Sequence, residues 1–356
     1  METFLVSREM ADRIVSFHNH FFRDHRKPEH WIWEYKGIYA DLSVFSAATE
    51  NGDIIGTLGA IPVFVRAGDE RILSAKYENA LVVRNHRGGK ASRDIFNLLE
   101  AECKSKGFQC AWGYGPTYKA SLRHGVSAYP DAICSLGAVL RPTRGTSDKA
   151  RPKKKRSLSQ RIKRIAARPL FWLYGSILRA ATRPSIPIFS IRPALFRQED
   201  LDDLYQRLRD RYPNMIHIDL DERYLRWRIY NHPIFEYKSY FVYEDTQLRA
   251  YAFINANSQT RAYMTDFTFE HENAGKVLLA RILDDLKSTR AGLVIFIGNR
   301  ENPLIKKTFK LLRRWGFLRI GSTNFQMRNL QSQSDSLVSN PENWYMTGIG
   351  GEGFDA

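Results

Sequence analysis

The pattern of apolar and polar positions between residues 77 and 125 predicts a strand, a turn, a helix, a second strand and a short helix. The run Leu81-Val82-Val83 ends a β-rich stretch. Apolar residues then recur at helical spacing within 91–106, and a second apolar run covers 108–114. A short basic helix is predicted to close the unit at His124-Gly125.

The turn between the first strand and the long helix has the chemistry of an anion site. It contains Arg87-Gly88-Gly89-Lys90, directly before the helix. The first N–H groups of a helix lack intrahelical acceptors and carry the positive end of the dipole, and glycines let a bulky anion approach the backbone. The turn therefore fits a pyrophosphate. An ordinary strand-to-helix turn with solvated charges is the alternative.

In this order of elements the chain resembles the GNAT superfamily of acyl-CoA-dependent N-acyltransferases, where a central strand leads into an Arg-x-x-Gly-x-Gly/Ala turn and a helix. The sequence departs from that pattern at Lys90, Ser92, Thr117 and Val126. The resemblance implies acetyl-CoA or another acyl-CoA as co-substrate. It places the cofactor against Val82, Val83, Arg87, Gly88, Gly89, Lys90, Ala91 and Ser92.

An internal repeat supports this interpretation, because the same unit recurs about 190 residues further along the chain. A strand, turn and strand at 43–65 match those at 237–256, and the strand at 77–83 matches 263–269. The helix, strand and final helix also recur in order. The basic turn does not recur, because Glu270-His271-Glu272 stands there and its acids would repel a pyrophosphate. The N-terminal copy is therefore the predicted cofactor site.

Strands alternating with helices predict an α/β fold. Together with the internal repeat, the resemblance implies two tandem GNAT-like domains, each a mixed, mainly antiparallel central sheet flanked by helices. The predicted boundaries are 1–140 for the N-terminal domain, 141–185 for an interdomain segment and 186–330 for the C-terminal domain. A polar tail, 331–356, contains Trp344-Tyr345, and Trp344 is predicted to dock on a domain.

The net charge of +16 is concentrated in the interdomain segment. Residues 141–183 contain fourteen Lys or Arg residues and one acid, Asp148. Three interpretations stay open: peripheral membrane contact through 151–183, with apolar Leu170-Phe171-Trp172-Leu173 entering the interface, a nucleic-acid patch, and a linker packed across the domains. Nucleic acid is the least favoured, because no recognisable nucleic-acid-binding fold accompanies the cations.

The cysteines, the histidines and the N-terminal residues bear on disulfides, metal binding and location. Cys103, Cys110 and Cys134 show no Cys-x-x-Cys spacing and are interpreted as reduced core residues. No histidine spacing matches a metal motif, so no metal is expected. Residues 1–10 lack the apolar core of a signal peptide. These features predict a cytoplasmic protein, with the inner face of the membrane as an alternative location.

Amide-forming acyl transfer needs a base for the acceptor ammonium, donors for the carbonyl oxygen and an acid for the departing thiolate. In the family the base usually comes from the strand before the turn and the acid is often a Tyr after the next strand. This carries over to Glu78 as base and Tyr118 as acid, with Tyr114 as a substitute, while N–H groups around Val82 and Val83 would hold the carbonyl.

The predicted function is acyl transfer, most simply of acetyl, from acyl-CoA to an amine, with a small molecule or an amino sugar of surface-polysaccharide biosynthesis as acceptor. The sugar comes from the resemblance to tandem GNAT-like proteins encoded with such machinery, whose tails carry a similar Trp-Tyr and Gly/Asp segment. Two rivals remain: a FemABX-like transferase that uses aminoacyl-tRNA as donor, and a catalytically silent, membrane-associated scaffold.

Overall fold

The structure is a computed structural model that describes residues 1–22, 25–115, 122–141, 172–177, 189–193, 197–256, 260–331 and 336–351. The chain forms two compact units, each assembled from three stretches. Unit 1 contains residues 1–132, 214–227 and 323–344, and unit 2 contains residues 133–213, 228–322 and 345–356.

Unit 1 consists of one sheet with helices on it. Its strands are β1 (Glu2–Leu5), β2 (Val44–Glu50), β3 (Asp53–Ala67), β4 (Glu70–Val82), β5 (Cys110–Gly115) and the later part of β13 (Leu318–Asn329). Its main helices are α1 (Ala11–Phe22), α2 (Pro28–Lys36) and α3 (Lys90–Ser105). The strand order is β1-β2-β3-β4-β5-β13, and only the β4–β5 pair is parallel. A short strand, β8 (Ile216–Ile218), pairs with the far end of β3.

Unit 2 repeats this arrangement. Its strands are the later part of β6 (Ser127–Val139), β7 (Phe189–Pro193), β9 (Tyr237–Glu244), β10 (Gln247–Asn255), β11 (Arg261–Phe269) and β12 (Leu293–Asn299). Its main helices are α4 (Gln198–Arg211), α6 (Glu272–Leu286) and α7 (Pro303–Arg314); a four-residue helix, α5 (Glu222–Leu225), belongs to unit 1 and leads into the π-helix Arg226–Tyr230. The order is β7-β9-β10-β11-β12-β6, and only β11–β12 is parallel.

Local sequence explains why the hairpins and helices form where they do. Asn51 and Gly52 have φ of 51° and 86°, the left-handed pair that a two-residue turn requires between β2 and β3. Helix α3 buries Ala91, Ile95, Leu99 and Cys103, the face that its apolar spacing predicts. Both units thus show the predicted mixed, mainly antiparallel sheets flanked by helices, and the fold class is confirmed.

Each unit takes its sixth strand from the opposite half of the sequence. In unit 1, residues 324–329 of β13 pair with β5, and in unit 2, residues 133–139 of β6 pair with β12. The boundaries at 140 and 186 stay a prediction, and they do not include this exchange.

The tail and the cysteines follow their sequence-based expectations. Trp344 is fully buried beside Trp112 and Phe325 in unit 1, and its Nε1 donates to Val338 O over 2.8 Å, so the predicted docking is confirmed. The three cysteines are buried thiols, and burial raises the pKa of Cys103 and of Cys110 to about 12. Among the described helices, none has the length and apolarity that a bilayer crossing needs.

Candidate functional site

The basic turn in unit 1 presents an uncapped helix N-terminus. Gly88 has φ of +69°, and Gly89 is the N-cap residue of α3, with no side chain to bond the first turn. The N–H groups of Lys90, Ala91 and Ser92 therefore lack intrahelical acceptors by the geometry of an α-helix. Such a set of donors, at the positive end of the helix dipole, suits a phosphate group.

The space above the turn is bounded by a cation that the sequence-based interpretation did not nominate. A Cβ atom on Gly88 would lie 2.6 Å from Nη1 of Arg123, whereas one on Gly89 would meet only His86 O at 3.4 Å. Arg123 follows β5 in the sequence, so tertiary structure and not sequence proximity places it beside the turn. Its only signal in the sequence is its place in the basic stretch before His124.

The other cations of the turn bond to the protein itself. Arg87 donates from Nε to Val82 O over 2.8 Å, which folds the turn back onto the end of β4. Lys90 pairs with Asp94 one helical turn further along, and its side chain is 72% exposed. Arg87 therefore acts first as a clamp on the turn, while Lys90 is an exposed cation at its rim.

His124 fixes the first turn of α3 from the side. Its Nε2 lies 3.1 Å from Ser92 Oγ, and its ring stacks on Phe96 with centroids 4.5 Å apart. Partial burial, and after it the charges of Arg328, Arg123 and Arg93, lower the pKa of His124 below its ordinary 6.5. The site therefore disfavours further positive charge, as expected where cations already converge.

This shift gives a testable pH dependence of stability. Because the unfolded chain protonates His124 at a higher pH than the folded one, the contribution of this group is present above about 6.5 and is lost as pH falls below it. We expect the free energy of unfolding of His124→Asn to fall less than that of the wild type between pH 7.5 and 5.5 in urea titrations. The exposed His20→Asn serves as the control, and parallel pH profiles for His124→Asn and the wild type would contradict the assignment.

Glu78 lies next to the point where β4 and β5 separate. The two strands pair only from Ser74 with Cys110 to Lys76 with Trp112. The carboxylate of Glu78 is 2.9 Å from Lys76 Nζ, and these side chains are 20% and 5% exposed. Glu78 is therefore a half-buried carboxylate paired with a buried ammonium group, rather than a solvated strand-end acid.

A β-bulge follows Glu78 directly. Gly59 pairs with Glu78 and Thr57 with Leu81, so the intervening β4 residues, Asn79 and Ala80, face one residue on β3. Asn79 has φ of 55°.

Several elements hold the Asn79 side chain. Its Nδ2 donates to Glu34 Oε1 over 2.8 Å and to Tyr35 Oη over 2.7 Å, and its Oδ1 accepts from Arg26. Glu34 is 1% exposed. These contacts fix the backbone beside the candidate base, and no local sequence pattern indicates them.

The two nominated amides at the end of β4 differ in direction. Val83 donates its N–H to Ile55 O over 2.9 Å, so the sheet already uses that donor. Val82 is the preceding residue, and the amides of successive strand residues point to opposite edges. Val82 O indeed accepts from Arg87 instead of from β3. Val82 is therefore the better-placed donor toward the gap between β4 and β5.

Of the two candidate acids, only Tyr114 lies within the described residues. Tyr118, together with Pro116 and Thr117, lies outside the described residues. Tyr114 is on β5 and half-buried, and its ring centroid is 6.2 Å from that of Phe325. The structure thus brings together Glu78, Val82, Arg87, Gly88, Gly89, Lys90, Ala91 and Ser92 at one end of β4.

The corresponding turn in unit 2 is closed by its own side chains. His271 is the N-cap residue of α6, and its Nδ1 accepts from Ala274 N. Arg207 and Arg249 form ion pairs with Glu270. The charge of this acid is therefore neutralised, whereas the sequence alone predicts that it would repel a pyrophosphate. Burial acts to raise the pKa of Glu270, but the hydrogen bonds and charges of Arg249 and Arg207 together outweigh it, so that the pKa is lowered. Side-chain capping, more than acidity, distinguishes this turn from that of unit 1.

The comparisons with known proteins place this geometry in a fold class. No protein-family profile matches the sequence, and no curated protein matches it. Among solved structures, it is similar to a GCN5-related N-acetyltransferase from Anabaena variabilis, with a TM-score of 0.60 and 11% identity over 93% of this chain and 73% of that one. A GCN5-related N-acetyltransferase from Kribbella flavida gives a TM-score of 0.58 and 10% identity over 92% and 71%.

A tandem GNAT protein from the clavulanic acid biosynthesis pathway matches over nearly its whole length. Its TM-score is 0.58 and its identity 11%, covering 94% of this chain and 99% of that one. At these identities the likeness establishes the fold. The chain has the tandem GNAT fold, as the resemblance implied.

Proposed function

We propose that unit 1 binds an acyl-CoA and transfers its acyl group, most simply acetyl, to an amine. The observation that carries this proposal is the N-terminus of α3, where the cap residue is Gly89 and the guanidinium of Arg123 lies over Gly88, within a GNAT fold. The glycines leave a cradle that a Cβ atom on Gly88 would fill. The residues present therefore fit the pyrophosphate of CoA.

The chain's own residues would divide the work along β4. When bound, acyl-CoA supplies an activated thioester carbonyl. The N–H groups of Lys90 and Ala91 would hold phosphate oxygens, and the Val82 N–H would donate to the carbonyl oxygen. The Glu78 carboxylate would take the proton that an acceptor ammonium must lose, and Lys76 keeps that carboxylate oriented through their 2.9 Å contact.

Tyr118 is proposed as the acid, with Tyr114 as its substitute. Either phenol would hold a proton at Oη for the departing thiolate. The acceptor proposed here is an amine on a small molecule or an amino sugar of surface-polysaccharide assembly. The sugar rests on the resemblance to tandem GNAT-like proteins encoded with that machinery.

A second proposal concerns peripheral membrane contact through 151–183. The described part of this segment, residues 172–177, is helical and leaves Leu173, Tyr174 and Ile177 between 50% and 60% exposed. Trp172 is fixed, since its Nε1 donates to Leu140 O over 3.1 Å. Apolar side chains presented beside a basic sequence favour contact with anionic headgroups. The rest of the segment lies outside the described residues.

Calorimetric titration with acetyl-CoA and with free CoA tests the main proposal. We expect saturable binding of both at micromolar concentrations, together with a rise in the melting temperature, because a ligand of the native state stabilises it. Absence of binding by either would refute the cofactor site. Salt-sensitive retention of tRNA would then favour the aminoacyl-tRNA rival, and retention by anionic vesicles would favour the silent scaffold.

A further inference from the structure

In unit 1 the thioester arm of a bound acyl-CoA has one available course. The proposed pyrophosphate site is at the start of α3 and the proposed base is Glu78, so the arm must run along the end of β4. One edge of β4 is paired with β3 as far as Val82. The arm is therefore confined to the other edge, the gap where β4 and β5 separate beyond Lys76.

Unit 2 contains the equivalent gap between β11 and β12. These strands pair in parallel only from Arg261 with Leu293 to Met264 with Phe296, and they continue separately to Phe269 and Asn299. A bulge at Thr265 matches the one at Asn79 in unit 1, since Phe253 pairs with Asp266 and Ile254 with Met264.

The chain's own tail enters this second gap. We name residues Tyr345–Gly351 the strap. Asn299 of β12 donates its N–H to Met346 O over 2.9 Å, and Thr347 forms an antiparallel bridge with Gly298. Gly348 lies so close to β11 that a Cβ atom there would be 3.1 Å from Thr265 O. The strap thus contacts both diverging strands.

Side chains fix the strap from both sides. Tyr345 and Thr268 hydroxyls are 2.7 Å apart, and both residues are buried. Arg228, only 2% exposed, donates from Nε to Ile349 O over 3.1 Å and from Nη2 to Gly351 O over 2.8 Å. Removing the strap would leave a buried guanidinium without these acceptors, which is costly. The strap is therefore integral to unit 2.

The two units differ at this position among the described residues. In unit 1 no described strand pairs with the edges of β4 and β5 that face each other beyond Lys76, and the N-terminus of α3 has no side-chain cap. In unit 2 the strap occupies the gap, and His271 caps the helix. Both halves of an acyl-CoA site are thus closed in unit 2 by the protein itself.

We infer that the strap replaces acyl-CoA in unit 2, so that the chain has one cofactor site, in unit 1, and unit 2 holds its tail as a built-in peptide ligand. This inference rests on the proposed function for its unit 1 part. The closure of unit 2 stands on the strap contacts alone.

Hydrogen–deuterium exchange with and without acetyl-CoA tests the inference on the whole protein. We expect protection confined to peptides covering 82–93, a calorimetric stoichiometry of one, and slow exchange of 296–299 and 345–351 in both conditions. Ligand-induced protection of 264–269 and 296–299, or a stoichiometry of two, would overturn it. If no peptide responds and nothing binds, the proposed function fails, whereas rapid ligand-independent exchange of the Asn299 amide would refute the strap.

Gly348→Val provides the matched perturbation. Its Cβ would press on Thr265 O, and we expect exchange of the strap peptide to rise about tenfold while acetyl-CoA affinity in unit 1 stays unchanged. Gly321→Val is the control, since a Cβ there meets nothing within 4 Å. A loss of acetyl-CoA affinity in Gly348→Val, with its melting temperature retained, would place the cofactor in unit 2 and contradict the inference.

Discussion

Replacing Gly89 by Asp is expected to weaken acetyl-CoA binding by about 100-fold or more without destabilising the protein. The N-cap residue has φ of −91° and ψ of −161°, an extended conformation that Asp adopts readily. The carboxylate would bond the first N–H groups of α3, the same donors that a phosphate needs. It would also repel the phosphate, since two unit charges about 4 Å apart near a protein surface interact by roughly 4 kcal/mol.

The controls separate charge from shape. Gly89→Ser caps the helix without a charge, and its effect on the dissociation constant is expected to be nearer tenfold. Gly321→Asp adds the same charge at a position where a Cβ meets nothing within 4 Å. Unchanged affinity in Gly89→Asp, measured by calorimetry, would remove the turn as the pyrophosphate site.

Replacing Glu78 by Gln is expected to lower kcat by about 10²- to 10³-fold in an acetyl-transfer assay with an amine acceptor. The amide cannot take the proton from the acceptor ammonium. The KM for acetyl-CoA should change little, because the proposed phosphate contacts lie at the start of α3. Glu70→Gln, at the exposed start of the same strand, is the control for loss of one carboxylate.

A second variant guards against a folding artefact. Lys76 is buried, so loss of the Glu78 charge removes a partner of a buried ammonium group. Glu78→Asp keeps the charge on a shorter side chain and should retain part of the rate. Full activity in Glu78→Gln would assign the base elsewhere, and equal losses in the Gln and Asp variants, accompanied by lowered melting temperatures, would indicate a structural role.

The sequence predicted what depends on local patterns. Asn51-Gly52 predicted the turn of the first hairpin, and the spacing of Ile95 and Leu99 predicted the buried face of α3. The recurrence of the same order of elements predicted the tandem fold. The exchange of β6 and β13 could not be predicted from the sequence, because the strand that pairs with a sheet edge is decided by long-range contacts and not by local preference.

Long-range contacts also explain what was missed at the site. The guanidinium of Arg123, which follows β5 in the sequence, lies over Gly88 of the turn, and Glu34 of α2 bonds Asn79 of β4. The sequence also predicts Val83 as a donor, but whether the sheet uses its amide depends on the register with β3. Site residues that are consecutive in the sequence could be predicted, whereas contacts between residues of different elements could not.

The exchange of the sixth strands, β6 and β13, affects how the protein folds during its synthesis. During synthesis β5 ends at Gly115, but its partner residues in β13 begin at Asn324, roughly 200 residues later. At about 5–20 residues per second, the N-terminal sheet waits on the order of 10–40 s with an open strand edge. Such an edge invites pairing with other chains. Slowed translation or a premature stop before residue 324 should therefore leave a nascent product that depends on chaperones or aggregates.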